Sequence, residues 1–130
     1  MEPIEARKLV VVVVEDRQDT AEELAKGFRQ YGHKVQVALG VQAALEMIDA
    51  DEPDVVFLDL SMPEKEGREI AKKVRKRQFQ KPPFLVAMSG DGGEDDYRRS
   101  LEAGIDLHLV KPVDVRILQG FLARFQRVVA

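Results

Sequence analysis

The chain has 130 residues, enough for one domain with its own core and little room for a second. Its residues are 45% hydrophobic and 33% charged with a net charge of −3, ordinary for a globular domain and unsuited to direct nucleic-acid binding. Cysteine is absent, which excludes a disulfide framework, a thiolate nucleophile and a Cys-based zinc site.

Residues 1–8 carry Glu2, Glu5, Arg7 and Lys8, too much charge for a secretory signal, and read as a tail ahead of a domain at 9–130. The continuous β-branched run at 9–14 predicts a strand covered on both faces and is far too short to span a bilayer. No membrane contact is therefore expected, and the absence of cysteine fits a cytoplasmic location. Asp19 and Thr20 offer caps for a first helix carrying Ala21, Leu24, Ala25 and Phe28 at helical spacing, up to Tyr31 and Gly32. A strand at 34–39 puts Val35 and Val37 on one face. A second helix holds Val41, Ala44, Leu45 and Ile48 and stops at Pro53. The apolar run at 55–58 is a third strand, ending at Asp59.

Residues 62–67 read as a loop, followed by a helix through Ile70, Ala71 and Val74. Its basic run at 72–77 is read as a solvated face rather than a docking patch. Pro82 and Pro83 break the chain before an apolar strand at 84–88 and a glycine-rich loop at 89–93. A helix with Tyr97, Leu101 and Ala103 ends at Gly104. A last strand at 107–110 and a closing helix at 115–129, with Leu118, Phe121, Leu122 and Phe125 on its apolar face, complete the chain. Five strands alternating with five helices specify an α/β fold: a doubly wound parallel sheet covered on both faces.

In such a sheet, ligands bind outside the carboxyl ends of the strands, where the winding reverses. Glu15 and Asp16 follow the first strand, Asp59 the third, Ser89 the fourth and Lys111 the fifth. Taken singly, each has an ordinary reading: Asp16 or Asp19 as a helix cap, Asp59 as a loop carboxylate, Ser89 and Lys111 as commonplace loop residues. Together they bring three carboxylates, a hydroxyl and an ammonium to one edge. Clustered carboxylates repel unless a cation intervenes, and hard oxygen donors suit Mg²⁺. Mg²⁺ and Lys111 would balance the three negative charges, as an electrostatic phosphoryl-transfer site requires.

The stretches Val-Val-Glu-Asp at 13–16, Val-Phe-Leu-Asp-Leu-Ser-Met-Pro at 56–63 with Gly67, Val-Ala-Met-Ser-Gly at 86–90 and Leu-Val-Lys-Pro-Val-Asp at 109–114 resemble the receiver domains of two-component response regulators. They stand in the family's order and spacing, and the resemblance covers nearly all of residues 9–128. It implies a flavodoxin-like sheet of order 2-1-3-4-5, as in chemotaxis regulators, and Asp59 as the phospho-acceptor. It implies Mg²⁺ held by Glu15, Asp16, Asp59 and the backbone carbonyl of Ser61. Lys111 matches the lysine that contacts the phosphoryl group, and its bond to Pro112 resembles one that is cis in the family. Ser89 matches the switch hydroxyl, and Ser61 and Asp91 match modulators of hydrolysis.

Two positions depart from the family pattern. The acidic pair is Glu-Asp rather than Asp-Asp, and the usual aromatic three residues before Lys111 is His108, either a switch residue or a half-buried strand residue without that role. The implied partners are a sensor histidine kinase or a histidine phosphotransfer protein, with a downstream effector and a homodimer on phosphorylation. The expectation is a signalling module, not an enzyme beyond its own phosphorylation and dephosphorylation. It is either a stand-alone regulator or a piece of a hybrid kinase in a phosphorelay. An aspartyl-nucleophile phosphatase is the rival class, but it wants an acid two residues after the nucleophile, where Ser61 stands.

Overall fold

In a computed structural model, residues 8–60, 66–90 and 93–129 are described. Strand β1 (Val10–Val14), helix α1 (Gln18–Gln30), β2 (Lys34–Ala38), α2 (Val41–Asp51) and β3 (Val55–Asp59) form the first half. Helix α3 (Glu66–Lys76), β4 (Phe84–Ser89), α4 (Glu94–Ala103), β5 (Leu107–Val110) and α5 (Val115–Val129) form the second. The strands pair in parallel in the order β2-β1-β3-β4-β5, so the winding reverses between β1 and β3.

Alternation along the central strands divides the core into two layers. Val12, Val14, Val56, Leu58, Leu85 and Ala87 face α2 and α3, meeting Ala44, Leu45, Ile48, Ile70 and Val74. Their neighbours Val11, Val13, Val55, Phe57, Val86 and Met88 face α1 and α5, meeting Ala25, Phe28, Leu118 and Leu122. Phe28 and Phe57 stack with ring centroids 5.0 Å apart, a contact worth about 1 kcal/mol beyond the buried area. With both faces covered, β1 and β3 must be apolar at nearly every position, which is why they read as unbroken runs rather than alternating ones.

Some local expectations are corrected. Helix α1 begins at Gln18, with Arg17 at the N-cap position and no side-chain capping bond, so neither Asp16, Asp19 nor Thr20 caps it. Asp19 instead lies in the first turn, where a negative charge complements the helix dipole. On α4 the buried residues are Ser100 and Ala103, while Tyr97 and Leu101 are half exposed. The basic run of α3 is only partly a solvated face. Lys72, Lys73 and Lys76 are exposed, but Arg75 donates to the carbonyls of Gly104 and Pro83 at 2.8 and 3.0 Å. Gly104 closes α4 at φ +97°, and a Cβ there would meet the Arg75 side chain at 2.4 Å, so both turn and packing demand glycine. No helix among the described residues is long and apolar enough to cross a membrane.

Candidate functional site

The parallel sheet carries the end of each strand to one edge, and β1, β3, β4 and β5 deliver their terminal residues there side by side. Asp59, the last residue of β3, is 1% exposed. Its Oδ2 accepts a hydrogen bond from Lys111 Nζ at 2.7 Å, across 52 residues of sequence. Lys111 is placed by its own backbone, whose N–H donates to the Ser89 carbonyl at 2.7 Å beyond the last β4–β5 pair. The Lys111–Pro112 peptide is cis. Behind Asp59, the Leu60 N–H donates to the Met88 carbonyl, and Gly67 comes so close that a Cβ would lie 2.6 Å from the Leu60 side chain. The start of α3 thus lies close against the residue that follows β3.

Glu15 continues β1 into the site. Its N–H donates to the Ala38 carbonyl at 3.1 Å, its Oε1 accepts from the Arg17 N–H at 3.1 Å, and the residue is 3% exposed. Burial first, and then hydrogen bonding and charge repulsion with Asp59, push the Glu15 carboxyl up to about 8; a hydrogen bond with Asp16 adds in the same sense. Asp16 itself is exposed. The three expected carboxylates are thus in a chain of contact centred on Glu15. They are not a ready-made ligand set, because no group of three His, Asp or Glu side chains poised for a metal occurs among the described residues.

The chemistry of this donor set nevertheless fits a hard divalent cation. Two buried carboxyls side by side, one holding its proton far above the usual carboxylate range, are what a cation would relieve. Ser61 and Asp91 lie outside the described residues. Beside Asp59 a cleft of about 510 Å³ opens between α1 and the start of α5, walled by Leu24, Met88, Val113 and Leu118 with Lys111 at its rim.

Ser89 and His108 meet one layer away. Ser89 Oγ is 2.9 Å from His108 Nε2, and His108 Nδ1 is 2.7 Å from Ser100 Oγ. Burial lowers the His108 imidazole below its ordinary value, with Asp96 raising it and Arg68 lowering it further. Ser89 also lies 3.3 Å from Asp96 Oδ2, and Asp96 is paired with Arg68 of α3. Burial alone would raise Asp96, but the Arg68 guanidinium outweighs it and holds the carboxyl below its usual value. Asp96, Ser100 and Arg68 are absent from the sequence reading. The signal was there: positions 96, 100 and 103 recur at helical spacing, marking a partly polar stripe that α4 turns inward.

A family model described as the response regulator receiver domain matches residues 11–122. The chain belongs to that family. The receiver domain also resembles solved structures over nearly its whole length. One is in the co-crystal of the Saccharomyces cerevisiae histidine phosphotransfer signaling protein Ypd1 with the receiver domain of its downstream response regulator Ssk1. There the identity is 26% and the TM-score 0.84, over 95% of this chain and 92% of that one. A receiver domain from Methylobacillus flagellatus matches at 27% identity and TM-score 0.78, covering 92% and 99%. A Francisella response regulator receiver domain, at 23% identity and TM-score 0.84 over 95% and 100%, shows the same fold. The receiver domain is therefore a module of two-component signalling.

Proposed function

We propose that this receiver domain takes a phosphoryl group onto Asp59 from a phosphohistidine, in a Mg²⁺-dependent step, and thereby changes the affinity of its surface for a partner. The observation that carries the reading is the buried Asp59 carboxylate with the Lys111 ammonium 2.7 Å away, at the edge where the winding reverses. An Asp59 oxygen attacks phosphorus, the N–P bond of the donor breaks, and the electron pair leaves with the imidazole. Lys111 balances charge on the transferring oxygens. Glu15, Asp16, Asp59 and the Ser61 carbonyl would hold Mg²⁺, which supplies further charge neutralisation when bound. Water then hydrolyses the acyl phosphate, with the residues at 61 and 91 setting access.

The reading places the module at residues 9–130, in the cytoplasm. Its donor is a histidine kinase or a histidine phosphotransfer protein, in line with the complex that contains the yeast neighbour. Leu101, Val110 and Ile117 are exposed apolar side chains on α4, β5 and α5 and offer contact area for an effector or a second copy. Whether the module works alone or within a hybrid kinase, the chemistry at Asp59 is the same.

Incubation with acetyl phosphate and Mg²⁺ gives a base-labile acyl phosphate in the parent and none in Asp59→Asn. Labelling that survives in the Asn variant removes Asp59 from the role. Sustained turnover of small phosphate esters favours the phosphatase class instead.

A further inference from the structure

The contacts around Ser89 form a hydrogen-bond chain whose direction can be worked out. His108 is buried and its imidazole is lowered, so the neutral ring has one N–H to give. Among the described residues three contacts must be served: Ser100 Oγ with Nδ1 at 2.7 Å, Nε2 with Ser89 Oγ at 2.9 Å, and Ser89 Oγ with Asp96 Oδ2 at 3.3 Å. If Nδ1 carries the proton, Ser89 must donate to Nε2 and has nothing left for Asp96. If Nε2 carries it, Ser100 donates to Nδ1, Nε2–H donates to Ser89, and the Ser89 hydroxyl donates to Asp96. Only this second arrangement serves all three.

The chain ends on a carboxylate fixed from the opposite side. Arg68 Nη2 donates both to the Asp96 side chain and, at 3.3 Å, to the Asp96 carbonyl, tying α3 to the first turn of α4. The Arg68 and Asp96 side chains are 19% and 20% exposed, so the pair is well shielded from salt.

We infer that the Arg68–Asp96 pair is a resting-state latch: it holds the Ser89 hydroxyl on α4 and opposes the turn of that hydroxyl toward a phosphoryl group on Asp59. The inference rests on the proposed role of Asp59. Ser89 cannot direct its one proton to both acceptors, so the latch and the phosphoryl group compete for it. Weakening the latch raises the share of molecules whose hydroxyl is free to turn, and by linkage raises the affinity for a phosphoryl mimic by the same factor. His108 is then a positioning residue, held on both ring nitrogens, which feeds its Nε2–H to Ser89 and thereby commits the Ser89 proton to Asp96.

Beryllofluoride with Mg²⁺, titrated into the full chain and followed by amide NMR, tests this. Asp96→Asn keeps the shape and removes the charge, and it should bind the mimic about three- to tenfold more tightly than the parent, since one charge-assisted hydrogen bond is weakened. Arg68→Gln should shift affinity in the same direction by a smaller factor. In a Ser89→Ala background the Asp96→Asn gain should vanish, because the latch then holds nothing, whereas a merely structural effect of the substitution would persist. The imidazole ¹⁵N spectrum of the parent should show His108 as the Nε2–H tautomer. Unchanged or weaker binding in both single variants, a gain that persists without Ser89, or an Nδ1–H tautomer overturns the latch. Absence of beryllofluoride binding in the parent, or binding that survives in Asp59→Asn, sinks the reading of Asp59 itself, and the latch with it.

Discussion

The two edges of the sheet are both charged, yet they use charge in opposite ways. At the amino edge, Asp54 ahead of β3 accepts the Val10 N–H at 2.8 Å, and Asp106 ahead of β5 accepts the Leu85 N–H at 2.8 Å. Arg75 closes the Asp106 corner with three further donated bonds. Each carboxylate there staples one strand to the backbone of the next, and each negative charge has a cation beside it, Lys81 for Asp54 and Arg75 for Asp106. At the carboxyl edge, Asp59 meets Lys111 and Glu15, a side chain of opposite charge and one of the same kind. Asp54 and Asp106 each serve a strand backbone and face a cation. Glu15 and Asp59 are set against each other, a crowding that Lys111 and the raised Glu15 carboxyl ease and that an incoming cation would relieve further.

The largest expected effect on chemistry is at Lys111: Lys111→Ala slows phosphorylation by acetyl phosphate about a hundredfold, as loss of one charge-stabilising donor does, while the fold survives. A rate within a factor of two of the parent would move Lys111 out of the site. The largest expected effect on stability is at the other edge. Asp54→Ala leaves the Val10 N–H unserved and should cost about 2–3 kcal/mol in urea unfolding, with labelling of the folded protein unchanged.

Glu15→Gln sharpens the contrast with that variant. It should weaken Mg²⁺ binding about tenfold, yet in chelator the variant should be as stable as the parent or more so, because one of two crowded carboxyls is gone. A chelator-treated variant that melts earlier than the parent would mark Glu15 as a structural charge like Asp54.

The smallest effect concerns pH. His33 and His108 are both buried with ring values below the ordinary 6.5, so the unfolded chain takes up protons first. Their contribution to stability is present above pH 6.5 and is lost as pH falls toward the lower folded values. Glu15 acts in the opposite sense between about 4.5 and 8, because its folded form keeps its proton. The histidine effect should therefore emerge cleanly in the Glu15→Gln background, where Tm falls as pH drops below about 6.5. Replacing His33, which faces Gln119 of α5, with leucine should flatten the fall. A Glu15→Gln curve with no slope in that window contradicts the two buried neutral rings.

The strand pattern was legible because β1, β3 and β4 are covered on both faces, and full burial leaves a continuous apolar run in any sequence. Asp59 was legible for a related reason: a charge directly after such a run has to lie at the sheet edge, whereas Lys111 follows the short outer strand β5 and was placed by the alternation of elements. Helix detail was harder to read. Nothing in Arg17 or Gln18 announces the start of α1, since its N-cap makes no side-chain bond. Tyr97, open to core or surface packing from the sequence, and Leu101 are both half exposed, while α4 turns Ser100 and Ala103 inward and Ser100 meets the buried His108 of β5. The sequence singled out His108 and Ser89 separately. Their junction through Asp96 and Arg68 depends on how α3 and α4 pack, which local patterns do not encode.

Among several acidic residues at one edge, Asp59 is proposed as the group that bonds to phosphorus. Borohydride reduction of an aspartyl phosphate converts that residue to homoserine, which peptide mass spectrometry locates. After treatment with acetyl phosphate and Mg²⁺, homoserine is expected at position 59, with none when Mg²⁺ is withheld. Homoserine at position 16, the corresponding reduction product of a glutamyl phosphate at position 15, or an unreduced stable phosphate on Ser89 would contradict the claim.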